Sequence, residues 1–447
     1  MLAPNLFQKE HAESARRGVP KEMSTTVTYL TEKIPEFDRD PFFHPLDAIL
    51  AEIAIAVQLP PSLHAKACER YEAVRTYAGR AGSPLEGRIL RFYPQGSMAI
   101  DATISIRGTD DEYDLDIVAA LALAPDAPPG EVLDLLYNAL VGYPTSQKVE
   151  RQTRCVTVRY ADQMHLDITP AVRLPYSAAR ESHIFHAHPD DPPRLHVHVP
   201  MNAYGFAQWY RSRTPQEQRF AHALDERLPK AYGMEVRADA EVDEVPGQES
   251  LATKSVTTVA LQLLKRFRNI AYATSTQRIP PSVMISCFVG HAAQPGLSLS
   301  DMLIRQARVI ARELRQAGQR REKVMVVNPV FQRDCFTDRW PENLSQQEKF
   351  AAKLAGLADG LEYIKRHEID LESLRDWLRE QFGDYVVSGA IRRFNQRVGQ
   401  AVQGGGTAYT PRGGLYVPST PALVGLGAAA SSRAVSATPH TFRGNLR

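Results

Sequence analysis

Apolar positions along the chain follow two different periods, one on each side of about residue 200. Before that point, four segments alternate between apolar and polar residues or run continuously apolar, as the strands of a buried sheet do. They are GRILRFYPQ (87–95), YDLDIVAALAL (113–123), CVTVRY (155–160) and MHLDITPAV (164–172). Helices are predicted at 62–80 and 130–142, and residues 161–163 are expected to form the turn of a hairpin. Strands mixed with helices indicate an α/β domain.

Beyond residue 201 the period is helical. The segments that show it are GFAQWYRSR (205–213), VTTVALQLLKRFRNIAYA (256–273), PSVMISCFVGHAA (281–293), DMLIRQARVIARELRQAG (301–318) and the stretch 345–380. We therefore predict four parts. They are an N-terminal arm and helix (1–60), an α/β core (61–200), a helical lobe (201–400) and a flexible tail (401–447). The tail contains eight glycines and no acidic residue, a composition that does not support a core of its own.

Composition is that of an ordinary globular protein, with 43% hydrophobic and 23% charged residues among 447. No apolar run approaches the roughly 20 residues that cross a bilayer, and no signal sequence is evident. The four cysteines lie far apart, which favours reduced thiols over a disulfide or zinc framework. We expect a cytoplasmic protein without a membrane partner.

Charge is unevenly distributed, although the net charge is only +2. Residues 101–120 carry six acids and one base, whereas residues 251–340 carry fourteen bases and five acids. An acidic centre that faces a basic lobe suits metal ions on one side and polyphosphates on the other. A solvated basic helix face explains part of the same asymmetry.

The first candidate feature is Gln95-Gly96-Ser97, between a strand and a helix predicted over Ser97–Ile104. Glycine allows the backbone to approach a phosphate, and a helix N-terminus presents free N–H groups to it. The serine hydroxyl adds a further donor. Taken alone, a Gly-Ser pair is more often an ordinary turn or helix cap.

The second and third features are acidic. Asp114 and Asp116 are two residues apart at the start of a core strand, so their side chains share one face. Asp167 lies between apolar residues on the second strand of the predicted hairpin. An exposed acidic turn or an edge strand would explain each feature taken separately. Together, three carboxylates from two neighbouring strands can hold two Mg²⁺ ions, with Mn²⁺ as the alternative ion. Asp167 is then the candidate acceptor for the proton of the attacking hydroxyl.

The order of these motifs resembles the DNA polymerase β nucleotidyltransferase superfamily. More narrowly, the chain resembles the CD-NTases, the bacterial relatives of cyclic GMP-AMP synthase and oligoadenylate synthase in anti-phage (CBASS) signalling. The segments that carry the resemblance are QGSMAIDATI, DEYDLDIV, HLDITPAV, NAYGFAQW, QLLKRFRN, PPSVMIS and NPVFQRDCFTDRW, which span residues 95–340. One departure is Ala203 after Asn202, where the family often has proline.

The resemblance implies a two-lobed enzyme with a polymerase β-like core and an α-helical lobe. It implies ATP and other NTPs as substrates, a divalent metal, and a cyclic di- or trinucleotide second messenger as the product. By position, Lys265 would contact the donor triphosphate, with Ser282 beside it at a helix start. The zinc insertion of the animal DNA sensors is absent, so activation by DNA is not expected. The tail is either a plain flexible end or a handle for a conjugating operon partner.

Two other interpretations remain open at this stage. One is a template-independent transferase that adds nucleotides to RNA or to a small acceptor. The other is a catalytically silent nucleotide-binding scaffold, against which the clustered carboxylates argue, because such a cluster is costly without a cation.

Overall fold

The computed structural model describes residues 41–42, 44–104, 113–175, 177, 180–227, 254–367, 369–403, 408–409 and 415–416. Its helices before residue 230 are α1 (Pro45–Ala56), α2 (Pro61–Ala78), α3 (Gly96–Ala99), α4 (Pro129–Leu140), α5 (Ala203–Arg213) and α6 (Gln218–Asp225). Those after it are α7 (Val256–Tyr272), α8 (Ser282–Ala292), α9 (Leu299–Gln319), α10 (Leu344–Arg366), α11 (Leu371–Phe382) and α12 (Asp384–Gln403). None of the helices in these ranges is long and apolar enough to span a bilayer.

The strands are β1 (Ile89–Pro94), β2 (Tyr113–Leu121), β3 (Lys148–Arg151), β4 (Val156–Arg159), β5 (Met164–Arg173), β6 (Ser182–His186), β7 (Val197–Met201), β8 (Val327–Asn328), β9 (Phe331–Cys335), β10 (Ala408–Tyr409) and β11 (Leu415–Tyr416). The first seven form one mixed sheet in the order β1-β2-β5-β4-β3, and β6 and β7 extend it from the far end of β5. β2 and β5 run parallel, whereas β4 and β5 form the predicted hairpin.

The two faces of the sheet have different roles because side chains alternate along each strand. On one face, Leu115 and Ile117 of β2 and Leu166 and Ile168 of β5 are buried. They belong to one apolar core with α2 and α4. The opposite face carries Asp116 and Asp167. α2 and α4 pack on the apolar face, and farther along the opposite face Val118 and Ala171 belong to a small separate apolar cluster.

The second half of the chain is helical, as its period predicted. α7, α9 and α10 pack together in a large apolar core, with α8, α11 and α12 around them. α1 belongs to the same core, and ten of its twelve residues are buried. The helix expected in the N-terminal part of the chain is therefore present, and it packs with the helical half. Residues 1–40 and most of the predicted tail lie outside the described residues.

The predicted helix over Ser97–Ile104 is wrong in its length, because α3 is a single turn that ends at Ala99. Asp101 adopts a left-handed backbone conformation with φ of 54°, which an α-helix cannot continue through. Ile104 then forms an isolated antiparallel bridge with Gln58. Met98 packs with the sheet, whereas Ile100 and Ala102 pack with the helices, so this segment passes from one core to the other.

A buried carboxylate on α1 forms ion pairs with two arginines of α12 and with Arg227. Glu52 of α1 is fully buried and contacts Arg393 at 2.9 Å, Arg397 at 2.8 Å and Arg227 at 3.5 Å. Arg393 also donates to the Glu52 carbonyl at 2.8 Å. Three guanidinium groups offset the cost of burying one carboxylate, so this cluster fixes α12 against α1.

Candidate active site

Asp116 and Asp167 are direct neighbours in the β2–β5 register. Paired residues of adjacent strands lie about 4.8 Å apart and point to the same face. Asp114 is two residues earlier on β2, and its backbone pairs with His165. The structure therefore places Asp116 and Asp167 side by side on two neighbouring strands, with Asp114 two positions earlier on β2, and their shared metal site stays a prediction.

Gly96 lies against Asp116. Its φ is 60°, and a β-carbon built on it would overlap Asp116 Oδ2. Gln95 holds the turn against the sheet. Its backbone N–H donates to the Asp116 carbonyl at 2.8 Å, and its side-chain amide donates to Thr169 Oγ1 at 3.2 Å. The Gly-Ser turn is thus held directly beside an acidic residue of the predicted site.

Ser97 follows in the first turn of α3. Its carbonyl accepts from the Ala102 N–H at 2.9 Å, and its hydroxyl oxygen accepts from Thr103 Oγ1 at 3.3 Å. A hydroxyl that accepts in this way keeps its own hydrogen for another acceptor. Ser97 is therefore arranged as a donor, which suits a phosphate oxygen.

A cavity of about 640 Å³ lies between the sheet and the helices. Gln95, Gly96, Ser97 and Asp116 line one side of it, and Lys265 and Ser282 lie on its wall as well. Its cationic lining residues are Arg154, Lys265, Arg268, Arg278 and Arg339. Its acidic ones are Asp116, Asp334 and Asp338. A cavity with this excess of positive charge suits a triphosphate.

Lys265 and Ser282 are both engaged by protein atoms. The Lys265 ammonium group is buried and donates to the Ala102 carbonyl at 2.8 Å. Ser282 is the first residue of α8, and its hydroxyl accepts from Arg268. Burial lowers the pKa of Arg268 to about 10, which still leaves it charged at neutral pH. The contact of Lys265 and Ser282 with a nucleotide therefore remains a prediction.

Two contributors were not found from the sequence. Thr157 of β4 is buried and donates to Asp167 Oδ1 at 2.6 Å. Arg154, just before β4, donates to Asp338 at the rim of the cavity and to His186 Nδ1 at 2.9 Å. The predicted turn at 161–163 pairs Thr157 with Asp167, so the hairpin register is the signal that could have found Thr157. The Arg154–Asp338 ion pair joins residues 184 positions apart.

Asp334 links two of the segments that carry the family resemblance. It accepts from the Asn202 N–H at 3.0 Å and from Asn328 Nδ2 at 2.9 Å. Asn328 Nδ2 also donates to the Asn202 carbonyl at 2.9 Å. Burial raises the pKa of Asp334, although these hydrogen bonds oppose the effect. The start of α5, capped by Asn202, is therefore fixed to β8 and β9 at the cavity wall.

The donor atoms at this site fit a hard divalent cation. Carboxylate oxygens from adjacent strands are the ligands that Mg²⁺ and Mn²⁺ prefer. The acids also act on the nearby Cys155. Burial raises the pKa of its thiol, and the charges of Asp167 and Asp116 raise it further. Asp116 and Asp167, which are neighbours on one face of the sheet, are the described residues that could hold such a cation.

The mixed sheet with its paired acids, the Gly-Ser turn and the cationic cavity agree with a nucleotidyltransferase that has a polymerase β-like core. Residues 90–170 match the profile of a family described as cyclic GMP-AMP synthase DncV-like, nucleotidyltransferase domain. The cyclic dinucleotide synthase CdnG of Bradyrhizobium diazoefficiens is 56% identical over 411 residues, which cover 91% of this chain and 97% of that protein. The chain belongs to the CD-NTase family.

Structure comparison agrees with this assignment. The structure of the Bradyrhizobium diazoefficiens CD-NTase CdnG in complex with GTP matches with a TM-score of 0.70 at 57% identity. The match covers 80% of this chain and 100% of that chain. A c-di-GMP synthase from Roseivirga ehrenbergii is 22% identical over 358 residues, which cover 79% of this chain and 89% of that protein.

Proposed function

We propose that this enzyme joins nucleoside triphosphates into a cyclic di- or trinucleotide second messenger, with GTP as the first substrate to test. The observation that carries the proposal is that Asp116, the register partner of Asp167, lies against Gly96 in a cavity that is also lined by Ser97 and five cationic residues. GTP is chosen because one relative is solved with GTP and another is a c-di-GMP synthase. A role in anti-phage signalling belongs to the same proposal.

In this mechanism the position of each residue determines whether it binds phosphate or metal. Ser97 donates to a phosphate oxygen, and Lys265, Arg268 and Ser282 hold the triphosphate from the helical side of the cavity. Asp114, Asp116 and Asp167 would hold the metal ions. When bound, Mg²⁺ supplies neutralisation of the triphosphate and activation of the hydroxyl.

The reaction itself breaks one bond and forms one. A ribose hydroxyl oxygen of one nucleotide forms a bond to the α-phosphorus of the other, and the bond from that phosphorus to pyrophosphate breaks. Asp167 accepts the hydroxyl proton, because it lies beside Asp116 at the same end of the sheet. A second transfer of the same kind closes the ring. Catalysis of this type depends mainly on positioning and on charge neutralisation.

The experiment is incubation of the protein with each NTP, singly and mixed, in Mg²⁺ and without added RNA. The expected product is resistant to phosphatase, and its mass equals that of a cyclic oligonucleotide. Asp116→Asn and Asp167→Asn are expected to lower the rate at least about 1,000-fold. Asp162→Asn is the matched control, because Asp162 lies in the β4–β5 turn and pairs with Lys66 and Arg70.

Three outcomes would contradict the proposal. One is the absence of product from every NTP mixture. Another is a product that forms only when RNA is added, which would favour a template-independent transferase. The last is unchanged cellular function when Asp114→Ala and Asp116→Ala are combined, which would favour a catalytically silent scaffold.

A further inference from the structure

The segment that follows Ser97 is held by residues far from it in sequence. After α3 the chain turns at Asp101, and the Ala102 N–H returns to the Ser97 carbonyl at 2.9 Å. Ile100 and Ala102 are buried in the helical core, beyond the sheet that carries the acids. The backbone on which Ser97 depends is therefore attached to the helical half of the molecule.

Thr103 makes the one described side-chain contact with the Ser97 hydroxyl. Thr103 is 8% exposed, lines the cavity, and donates to Ser97 Oγ at 3.3 Å. A serine hydroxyl rotates freely unless a neighbour fixes it. Because Thr103 occupies an acceptor position of Ser97 Oγ, the Ser97 hydrogen is directed away from Thr103.

Gln262 of α7 holds the backbone of Thr103. The Gln262 side chain is fully buried, and Nε2 donates to the Thr103 carbonyl at 2.9 Å. Its amide is fixed in turn by Gln58, with which it exchanges hydrogen bonds of 2.6 Å and 3.1 Å. Lys254 donates to the same Gln58 oxygen at 2.6 Å. Such a network holds one arrangement because an unsatisfied buried amide is costly.

We propose that Thr103 and Gln262 are positioning residues that set the direction of the Ser97 hydroxyl toward a triphosphate. Neither residue belongs to the Gly-Ser turn or to the acidic set. Gln262 acts through Thr103, and Thr103 acts through Ser97. The helical lobe thereby determines how well the α/β core binds phosphate. The inference rests on the proposed function, since it presumes that Ser97 binds phosphate.

Thr103→Val tests the first link, because valine keeps the shape and removes the hydroxyl donor. The expected result is a rise of about 3- to 10-fold in the apparent KM for GTP and in the Kd of a non-hydrolysable GTP analogue, with kcat within about twofold of wild type. Thr103→Ser restores the donor and is expected to restore both constants. A general loss of structure would lower kcat and would not be rescued by serine.

Gln262→Met tests the second link, since methionine matches glutamine in length and lacks the amide. It is expected to raise the KM and the Kd in the same direction as Thr103→Val, and the double variant should add little to either change. Gln306→Met is the matched control. Gln306 is equally buried and donates to the Thr257 carbonyl at 2.9 Å, so its loss affects stability without reaching Ser97.

Each outcome bears on the inference. If wild type makes product and Thr103→Val binds the analogue as wild type does, the inference fails and the proposed function stands. If Gln306→Met raises the Kd as much as Gln262→Met, the effect is general destabilisation and Gln262 has no positioning role. If wild type neither binds the analogue nor makes product, the proposed function fails and this inference fails with it.

Discussion

Gly96 and Asp116 lie so close together that any side chain at residue 96 would overlap a carboxylate oxygen of Asp116. Glycine is also favoured there by the φ of 60°. We expect Gly96→Ala to lower activity more than about 100-fold, because the added carbon displaces the Asp116 carboxylate, which we propose binds metal, or moves the Ser97 turn. The measurement is product formed from NTPs, with circular dichroism to confirm folding.

Gly82 supplies the control for backbone strain alone. Its φ is 76°, and a β-carbon built on it would have no atom within 4 Å. Gly82→Ala should therefore lose about 1 kcal/mol of stability and keep its activity. Equal activity in Gly96→Ala and Gly82→Ala would show that the close contact between Gly96 and Asp116 does not affect catalysis.

The hydrogen bond from Thr157 to Asp167 predicts a change in metal dependence. Groups that orient a metal ligand commonly change metal affinity about 10- to 100-fold when they are lost. Thr157→Val is expected to raise the Mg²⁺ concentration for half-maximal activity about 10-fold, with activity recovered at high Mg²⁺. Thr157→Ser keeps the hydroxyl and should behave as wild type. A loss that Mg²⁺ does not reverse in Thr157→Val would contradict this role.

The acidic core of the site could be predicted because it depends on local patterns. Two apolar strands with the acids at matching ends, together with a Gly-Ser turn, are enough to indicate a shared face. The pairing of Asp116 with Asp167 follows from the same patterns once β2 and β5 are neighbours. The helical lobe follows from the helical period beyond residue 201, whereas the positions Lys265 and Ser282 follow from the family resemblance.

The parts that could not be predicted depend on contacts between distant residues. Gln58 and Gln262 are 204 positions apart, and a sequence pattern indicates burial without naming the partner of a buried amide. The end of α3 differs from its prediction for the same reason. Ala and Ile at 99–104 favour a longer helix, but hydrogen bonds from Gln262 and Lys265 hold the segment outside it. Tertiary contacts overrule propensity at such positions.

The buried carboxyl group of Asp334 is expected to make the stability of the protein depend on pH. Burial raises the pKa of Asp334 above its ordinary value of about 4. At a pH between the two pKa values, the native state therefore keeps a proton that the unfolded chain has lost. The contribution of Asp334 to the free energy of unfolding therefore falls as pH rises through this window. Asn does not titrate, so Asp334→Asn should gain stability relative to wild type as the pH rises above about 4. Urea denaturation across this range is the measurement, and parallel curves for the two proteins would contradict the prediction.

Removal of the Glu52 carboxylate is expected to cause a large loss of stability. Glu52→Ala leaves Arg393, Arg397 and Arg227 without their carboxylate, and removing one member of a buried ion pair commonly costs about 3–5 kcal/mol. The free energy of unfolding, measured in urea, should fall by about that amount. Asp359→Ala is the control, because Asp359 pairs with Arg308 at the surface and should cost at most about 1 kcal/mol. Equal losses in the two variants would contradict the structural role of Glu52.

The Glu52 cluster also limits how the chain can be shortened in the laboratory. Glu52 and Arg393 are 341 positions apart, yet the Arg393 guanidinium group donates a hydrogen bond to the buried Glu52 carboxylate. A fragment that starts after α1 would retain arginines without their acid, and one that stops before Arg393 would leave the acid with only Arg227. A fragment intended for crystallisation should therefore begin before Pro45 and continue past Arg397, whatever is removed outside those limits.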